Sequence, residues 1–152
     1  MEARDDVRGG KEAPGSREVR ISSRSRYGLR AMVELSKTHG KGPVSARTIS
    51  DREGIPMSYL EHLLGKLREA GLIKSVRGPG GGFELARTPG DISLLSIISA
   101  LDGPVVLCDC FEESSMKLPC NRLDSCLARV LWEKLSDRIE EVLETTTLAH
   151  VV

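Results

Sequence analysis

The chain has 152 residues, of which 39% are hydrophobic and 3% aromatic, and its 22 basic and 22 acidic residues leave a formal net charge of zero. This length suits one domain, or one domain with an arm, and the scarcity of aromatic residues predicts a core of Leu, Ile, Val and Ala, which favours helices. The first twenty residues are charged and no stretch approaches eighteen consecutive apolar residues, so we expect neither a signal peptide nor a membrane-spanning helix and predict a cytosolic protein.

The charges are unevenly distributed along the chain. Residues 21–90 contain twelve basic and six acidic residues, whereas residues 91–152 contain five basic and eleven acidic residues. A basic half joined to an acidic half predicts one surface that faces a polyanion. Charge alone equally allows a chance segregation of charges on a solvated surface.

The first part of the sequence predicts an arm followed by three helices. Residues 1–20 are polar, with almost no apolar side chains, and are predicted to form a disordered arm. Apolar spacing predicts a first helix that ends at Gly40 and a second helix that Ser45 caps and Gly54 ends. A third helix carries an apolar stripe formed by Leu60, Leu63, Leu64 and Leu67. The second and third helices, with a glycine-containing turn between them, form a helix-turn-helix signature.

Two short β-type runs come next, at residues 72–76 and 83–86, with the sequence RGPGGG at residues 77–82 between them. A phosphate-binding Walker loop needs Gly-Lys-Ser/Thr at the start of a helix, and a dinucleotide fingerprint also needs a following helix, so neither matches. A hairpin directly after a helix-turn-helix is the order of a winged helix. We therefore predict a mainly α fold with a small β-hairpin wing.

The remaining sequence predicts a fourth helix with apolar residues from Leu94 to Leu101 and a long amphipathic helix over about residues 123–147. That helix is a rod of about 35 Å, longer than a small domain needs, so we predict that it packs against a second subunit in a homodimer. A helix that packs within its own subunit is the alternative. The predicted organisation is a disordered arm at 1–20, a winged helix-turn-helix DNA-binding domain at 21–90, a linking helix and cysteine-containing sensor loop at 91–122, and a dimerisation helix at 123–148.

The helix-turn-helix and the wing supply the candidate DNA-binding residues. A recognition helix presents the side chains of its N-terminal end to base edges in the major groove, and those off the leucine stripe are Ser58, Tyr59, Glu61 and His62. In a wing, glycines allow close approach to the DNA backbone and an arginine can enter the minor groove; the candidates are Arg77, Gly78, Gly80 and Gly81. An ordinary helical hairpin with a solvated face is the competing interpretation. The wing and the basic bias favour double-stranded DNA as the partner.

A catalytic function is not expected. The three histidines, His39, His62 and His150, have no sequence context that pairs them with a nucleophile. A cysteine nucleophile has no accompanying motif. We therefore predict neither an enzyme nor a small-molecule substrate.

All four cysteines lie within one stretch, at Cys108, Cys110, Cys120 and Cys126. In a reducing cytosol such a cluster indicates metal binding or reactive thiols rather than disulfides. The Cys-x2-Cys and Cys-x4-Cys pairs typical of zinc sites and the Cys-x-x-Cys motif of thioredoxins are absent from the sequence. Spacing alone leaves three interpretations open: a metal or iron–sulfur site, thiol-based redox sensing, and cysteines without a function.

Four segments occur in the order known from one protein family: SRYGLRAM, ISDREGIPMSYLEHLLGKLREAGLIKSVRGPGGGFELAR, LLSIISALDGP and CNRLDSCLARVLWEKLSD. Over residues 20–148 the chain resembles the Rrf-two family of bacterial winged helix-turn-helix transcription regulators, which has IscR, NsrR and CymR branches. The resemblance implies a homodimer with two winged helices and a long crossing dimerisation helix. It also implies a [2Fe–2S] or [4Fe–4S] cluster that modulates DNA binding and whose ligands correspond to Cys110, Cys120 and Cys126.

The chain departs from the family's ligand pattern. The IscR spacing would put a ligand at Ser114, Arg129 stands where IscR has a histidine, and Arg26 stands where NsrR has an aspartate. Arginine does not ligate iron, so the fourth ligand stays open, with Cys108 and carboxylates such as Glu112 as candidates. Because CymR-type members work without a cluster, the alternative function is a cluster-free regulator controlled by a thiol switch or a partner protein. A cysteine-dependent enzyme is the weakest alternative.

Overall fold

The computed structural model describes residues 21–108, 122 and 125–152. The predicted arm at residues 1–20 lies outside them, as do the candidate ligands Cys110, Cys120 and Glu112 and the position of Ser114. The regular elements, in chain order, are α1 (Ser23–Lys37), α2 (Ala46–Glu53), α3 (Met57–Glu69), β1 (Ile73–Val76), β2 (Gly82–Leu85), a 3-10 turn (Pro89–Asp91), α4 (Leu94–Asp102), α5 (Leu127–Thr145) and a second 3-10 turn (Leu148–His150).

Serine side chains fix the start of three helices. Ser22, Ser45 and Ser93 each stand at an N-cap and accept a hydrogen bond from the backbone N–H three residues later, at 3.0–3.1 Å. Such a cap satisfies one of the N–H groups that have no partner within the helix. At the other end, Gly54 closes α2 in the left-handed region, as predicted, whereas α1 already ends at Lys37, before Gly40.

The hairpin is antiparallel and pairs Ile73 with Leu85 and Val76 with Gly82. A third segment joins it, because Val44 and Phe83 exchange two backbone hydrogen bonds of 2.8 and 2.9 Å. Val44 directly precedes Ser45, which caps α2. The hairpin is thereby attached to the start of the helix-turn-helix.

One hydrophobic core joins the helices and the hairpin. The leucine stripe of α3 is completely buried, and so are Met32 of α1, Ile49 of α2 and Ile97 of α4. At Gly28 the backbone of α1 lies so close to α4 that an added Cβ would be 2.2 Å from Leu101 Cδ1. The core residues are Ala31, Met32, Leu35, Val44, Ile49, Ile55, Leu60, Leu63, Leu64, Leu67, Leu72, Ile73, Leu85, Ile92, Ile97, Leu101 and Leu148.

The last helix, α5, is attached to this core by its C-terminal end. Leu94 N–H donates to the Thr146 carbonyl at 2.7 Å, and Leu148 N–H donates to the Ile92 carbonyl at 3.1 Å. Leu148 itself is only 3% exposed. The helix has 19 residues, which makes it about 28 Å long. It is shorter than the expected rod because it begins at Leu127 rather than near residue 123 and ends at Thr145, after which the chain turns into the core.

These elements confirm the predicted fold class, a mainly α winged helix-turn-helix with a small β-hairpin and a long final helix. The predicted division at residue 90 stays a prediction, although residues on both sides of it, such as Leu85 and Ile92, share the core. Within the described ranges, no helix is both long and apolar enough to cross a membrane.

The close approach of α1 and α4 can be tested with a matched pair of glycine substitutions. In α3, nothing lies within 4 Å of a Cβ added at Gly65, so Gly65→Ala should raise the free energy of unfolding by about 1 kcal/mol through helix propensity. At Gly28 the added methyl group meets Leu101, and we expect Gly28→Ala to be about 1–3 kcal/mol less stable than Gly65→Ala. Denaturant unfolding followed by circular dichroism measures the difference. Equal stability of the two variants would contradict the close packing.

Candidate nucleic-acid interface and cysteine segment

Helix α3 has one buried face and one exposed face. Its four leucines fill the core, whereas Ser58, Glu61 and His62 are exposed. The sequence-predicted recognition residues therefore lie on the surface of the N-terminal half of α3, with one exception, Tyr59. A hydroxyl, a carboxylate and an imidazole in this position can exchange hydrogen bonds with base edges or phosphates.

Tyr59 is half-buried and packs on α1. Its ring meets the ring of Tyr27 edge-on, with centroids 5.9 Å apart and planes at 90°. The Arg30 guanidinium carbon lies 5.6 Å from the centroid of the Tyr27 ring. The sequence placed Tyr59 among the exposed residues because it is not one of the four leucines. Those leucines form only the centre of the buried face of α3, and Tyr59 lies at the edge of that face.

The turn between α2 and α3 is held by hydrogen bonds to Ser50. The Ser50 carbonyl accepts from the N–H groups of Gly54 and Ile55, and the Ser50 hydroxyl donates to the Ile55 carbonyl at 2.6 Å. Ile55 is buried below this turn. Pro56 then occupies the N-cap of α3 and offers no side-chain acceptor, so the first N–H groups of α3 are available to an anion.

Two ion pairs connect α1 to the end of α2. Glu34, buried in α1, accepts hydrogen bonds from Arg52 and, at 3.0 Å, from Lys37. These two hydrogen bonds hold the pKa of the Glu34 carboxyl below its ordinary value, although burial opposes this. The second pair joins Arg30 to Glu53, with Nε and Oε2 at 2.8 Å. Sequence reasoning missed both pairs, because nothing in the local pattern shows which charged residues of different helices meet.

The tip of the wing depends on its glycines. Gly78 and Gly80 have φ angles of 103° and 81°, in the region that side chains other than glycine rarely adopt. A Cβ added at Gly81 would lie 2.2 Å from the Val76 carbonyl oxygen, so the tip closes only with glycine there. Arg77 stands exposed at the base of this turn, where a long cationic side chain can reach a phosphate or a groove.

Asp102, six residues before Cys108, connects the end of α4 to the start of α1. It is the last residue of α4 and accepts hydrogen bonds from the hydroxyls of Ser22 and Ser25, and Arg24 Nε lies 3.0 Å from its Oδ1. Burial raises the pKa of Asp102, but the two hydroxyls and the Arg24 guanidinium outweigh burial and place the pKa below its ordinary value. Sequence reasoning missed this contact as well, since it joins residues 77 and 80 positions apart.

The four cysteines lie in residues 108–126, the cysteine segment, and two of them, Cys108 and Cys126, are in the described part of the chain. Both are half-buried with free thiols, and Cys126 occupies the N-cap position of α5. Among residues 21–108, 122 and 125–152, no three His, Cys, Asp or Glu side chains are arranged to hold a metal ion. Arg129, one turn into α5, places its Nε 2.9 Å from Glu133 Oε1. The structure therefore leaves the predicted ligand set of Cys110, Cys120 and Cys126 untested.

Comparison with known proteins gives a consistent result. The family model of Rrf2, an iron-dependent transcriptional regulator, matches residues 21–152. The HTH-type transcriptional regulator IscR of Sodalis glossinidius is 43% identical over 134 residues, which are 88% of this chain and 79% of the relative.

Two solved structures extend the comparison. The structure of CymR, the global cysteine regulator of Bacillus subtilis, has a TM-score of 0.72 at 38% identity and covers 87% of this chain and 95% of its own. The structure of T. potens IscR has a TM-score of 0.67 at 40% identity and covers 89% and 87%, respectively. With the winged helix, the exposed face of α3 and the hairpin tip in place, the chain belongs to the Rrf2 family of transcriptional regulators.

Proposed function

We propose that the chain is a sequence-specific transcription regulator that binds a double-stranded DNA operator through α3 and the hairpin. The observation that carries the proposal is the exposed row of Ser58, Glu61 and His62 on a helix whose opposite face is fixed in the core. Rigid attachment lets these side chains meet base edges at set positions. The wing tip, from Arg77 to Gly81, supplies a second contact, and the uncapped start of α3 supplies N–H groups for a phosphate. The expected site of action is the cytosol.

The contribution of the wing can be measured with two arginine substitutions that change the charge equally. Arg77 lies at the base of the hairpin turn, whereas Arg87 is exposed beyond the other end of β2. We expect Arg77→Ala to weaken binding to a duplex selected by the wild-type protein by about 1–3 kcal/mol, and Arg87→Ala to weaken it less. Fluorescence anisotropy at several salt concentrations measures both. Equal affinity of the wild type and Arg77→Ala would exclude a wing contact.

We further propose that two copies associate through α5. None of its residues is buried within one subunit, and six of the large apolar side chains exposed in the described residues lie on it: Leu127, Val130, Leu131, Trp132, Leu135 and Val142. Burial of such a side chain contributes about 1.5–3 kcal/mol, so covering this face favours association. A dimer also presents two recognition helices, as binding to a palindromic operator requires.

Association through α5 predicts that one charge in its apolar face breaks the dimer. Leu131 is 70% exposed, so Leu131→Asp should leave the subunit folded but place an unpaired carboxylate in the interface. Sedimentation equilibrium should show a dimer for the wild type and a monomer for Leu131→Asp. Glu140→Lys, a charge change at an exposed position on the opposite side of α5, is the control and should stay dimeric. A Leu131→Asp dimer would refute this interface.

We also propose that the cysteine segment binds an iron–sulfur cluster, with Cys110, Cys120 and Cys126 as ligands and Cys108 or Glu112 as candidates for a fourth. Support comes from the chemistry of the donor set, since thiolates are the ordinary protein ligands of such clusters. The half-buried Cys126 at the N-cap of α5 fits this role, because the positive end of a helix dipole favours negatively charged ligands. When bound, the cluster would connect Cys110, Cys120 and Cys126 through its iron atoms, and its redox state could change.

The hydrogen bonds of Asp102 offer a route from the cysteine segment to the DNA-binding elements. This residue ends α4 six positions before Cys108 and is bonded to Ser22 and Ser25 at the start of α1. Helix α1 in turn packs against α3 through Tyr27 and Tyr59. A change in the order of the cysteine segment can therefore bias the position of α1 and, with it, operator affinity.

Anaerobic purification with iron and acid-labile sulfide analysis tests the cluster. The wild-type protein should contain both and absorb visible light, and Cys126→Ser should lose both, because a serine hydroxyl is a poor replacement for a soft thiolate. Ser125→Ala, at the exposed neighbouring position, is the control and should retain the cluster. A colourless wild-type protein that carries zinc, or no metal, would contradict cluster binding.

A second candidate function is a cluster-free regulator of the same family, controlled by a thiol switch or a partner protein. The observations that favour it are the similarity to the CymR structure and the arginines at positions 26 and 129. A thiol switch differs from cluster sensing because the protein would contain no iron or sulfide, and control by a partner protein differs in the effect of cysteine replacement on operator affinity. Removal of a cluster ligand changes the affinity of a cluster-sensing regulator, whereas a partner-controlled regulator binds its operator equally well with Cys126→Ser.

A further inference from the structure

Arg30 makes contacts with two different elements at once. From the eighth position of α1, its Nε donates to Glu53 Oε2 at 2.8 Å and its Nη2 donates to the Glu53 backbone carbonyl. The same guanidinium lies 5.6 Å from the centre of the Tyr27 ring. A planar guanidinium can serve a carboxylate, a carbonyl and an aromatic ring together, which a lysine ammonium cannot do with the same geometry.

The partner of Arg30 stands at the end of the first helix of the helix-turn-helix. Glu53 is the last residue of α2, Gly54 follows in the left-handed region, and α3 begins at Met57. The last carbonyl groups of a helix accept no hydrogen bond from within the helix. Arg30 donates a hydrogen bond to one of them, the carbonyl of Glu53. The guanidinium therefore fixes the position from which the turn starts.

The aromatic pair fixes the position at which the turn ends. Tyr59, the third residue of α3, packs edge-on against Tyr27, and Tyr27 and Arg30 are one turn apart on the same face of α1. The end of α2 and the start of α3 are thus both held against one surface of α1, formed by Tyr27 and Arg30.

A second ion pair of opposite polarity fixes the register of α2 on α1. Arg30 and Glu34 are four residues apart on α1, and they bind Glu53 and Arg52 of α2, respectively. Because acid and base alternate between the helices, a shift of α2 that brought Arg30 toward Arg52 would set like charges against each other. The two ion pairs therefore favour one position of the end of α2 along α1.

We propose that Arg30 is a positioning residue for DNA recognition, which sets the angle at which α3 presents Ser58, Glu61 and His62 without touching DNA itself. The inference rests on the proposed binding of DNA by α3. An exposed ion pair adds only about 0–1 kcal/mol to stability, and the side chain of Arg30 is 49% exposed. Its loss should consequently alter selectivity among DNA sequences more than it alters the folding of the chain.

The competing explanation is that Arg30, an exposed cation near α3, binds a phosphate. The two roles differ in their salt dependence, because each phosphate contact contributes about one unit to the slope of log affinity against log salt. They also differ in selectivity, since a lost phosphate contact weakens all duplexes alike, whereas a misplaced α3 weakens the preferred duplex most.

The test uses the full-length protein and a duplex that the wild type has enriched from a randomised pool, with an unrelated duplex of equal length. Arg30→Lys keeps the charge but not the two-point bond to Glu53. We expect it to lose up to about fivefold in affinity for the enriched duplex, because the loss cannot exceed the free energy of the pair, with unchanged affinity for the unrelated duplex and an unchanged salt slope. Arg138→Lys, which alters an arginine–glutamate pair of 2.8 Å within α5, is the control and should bind as the wild type does.

A charge exchange completes the experiment. Arg30→Glu should bind the enriched duplex more weakly than Arg30→Lys, and the double variant Arg30→Glu, Glu53→Arg should recover part of the loss, because it restores a pair between the same positions. Thermal unfolding of each variant reports whether the fold is retained. Wild-type affinity of Arg30→Lys, a shallower salt slope for Arg30→Glu that the double variant does not recover, or equal losses on both duplexes would each overturn the positioning role. If the wild type enriches no duplex, both the DNA-binding function and this role of Arg30 are wrong.

Discussion

The burial of the leucine stripe of α3 is the constraint on which the other features depend. Leu60, Leu63, Leu64 and Leu67 are 0% exposed, and burial of such side chains is the largest favourable contribution to folding. Since an α-helix has 3.6 residues per turn, fixing this face inward turns Ser58, Glu61 and His62 outward. In the same core, α1 and α4 lie so close together that only glycine fits at Gly28. The hairpin contributes Leu85 to this core. Helix α3 and the hairpin therefore share one core.

Around this core, hydrogen bonds and ion pairs act at the helix ends. Ser45 starts α2 beside the backbone bonds that attach the hairpin through Val44 and Phe83. The end of α2 is held by Arg30 and by the buried Glu34, and Asp102 bonds the end of α4 to the start of α1. Burial determines which faces meet, whereas these directional contacts determine how the helices are placed along and around one another.

The final helix differs from the other helices of the described residues, because none of its residues is buried within one subunit. Leu148 and the bonds between residues 92–94 and 146–148 attach its C-terminal end to the core. Toward the cysteine segment, α5 instead exposes Leu127, Val130 and Leu131. An apolar face of this kind marks an interaction site in a soluble protein. The proposed dimer contact and the proposed cluster ligand Cys126 thus lie at the same end of one helix.

The amino-acid sequence by itself determined the periodic and local features. The leucine spacing, the Ser45 cap, the Gly54 stop and the glycines of the wing each follow from the geometry of a single element, and the structure has them where the sequence predicts them. The tertiary structure alone decided the pairing of Arg30 with Glu53, the bonds of Asp102, the half-burial of Tyr59 and the docking of Leu148. These contacts join residues 23 to 80 positions apart, and the helical period says which residues share a face but not which face of another helix they meet. The physical reason is that such pairs form only after the core has fixed the distances and angles between elements.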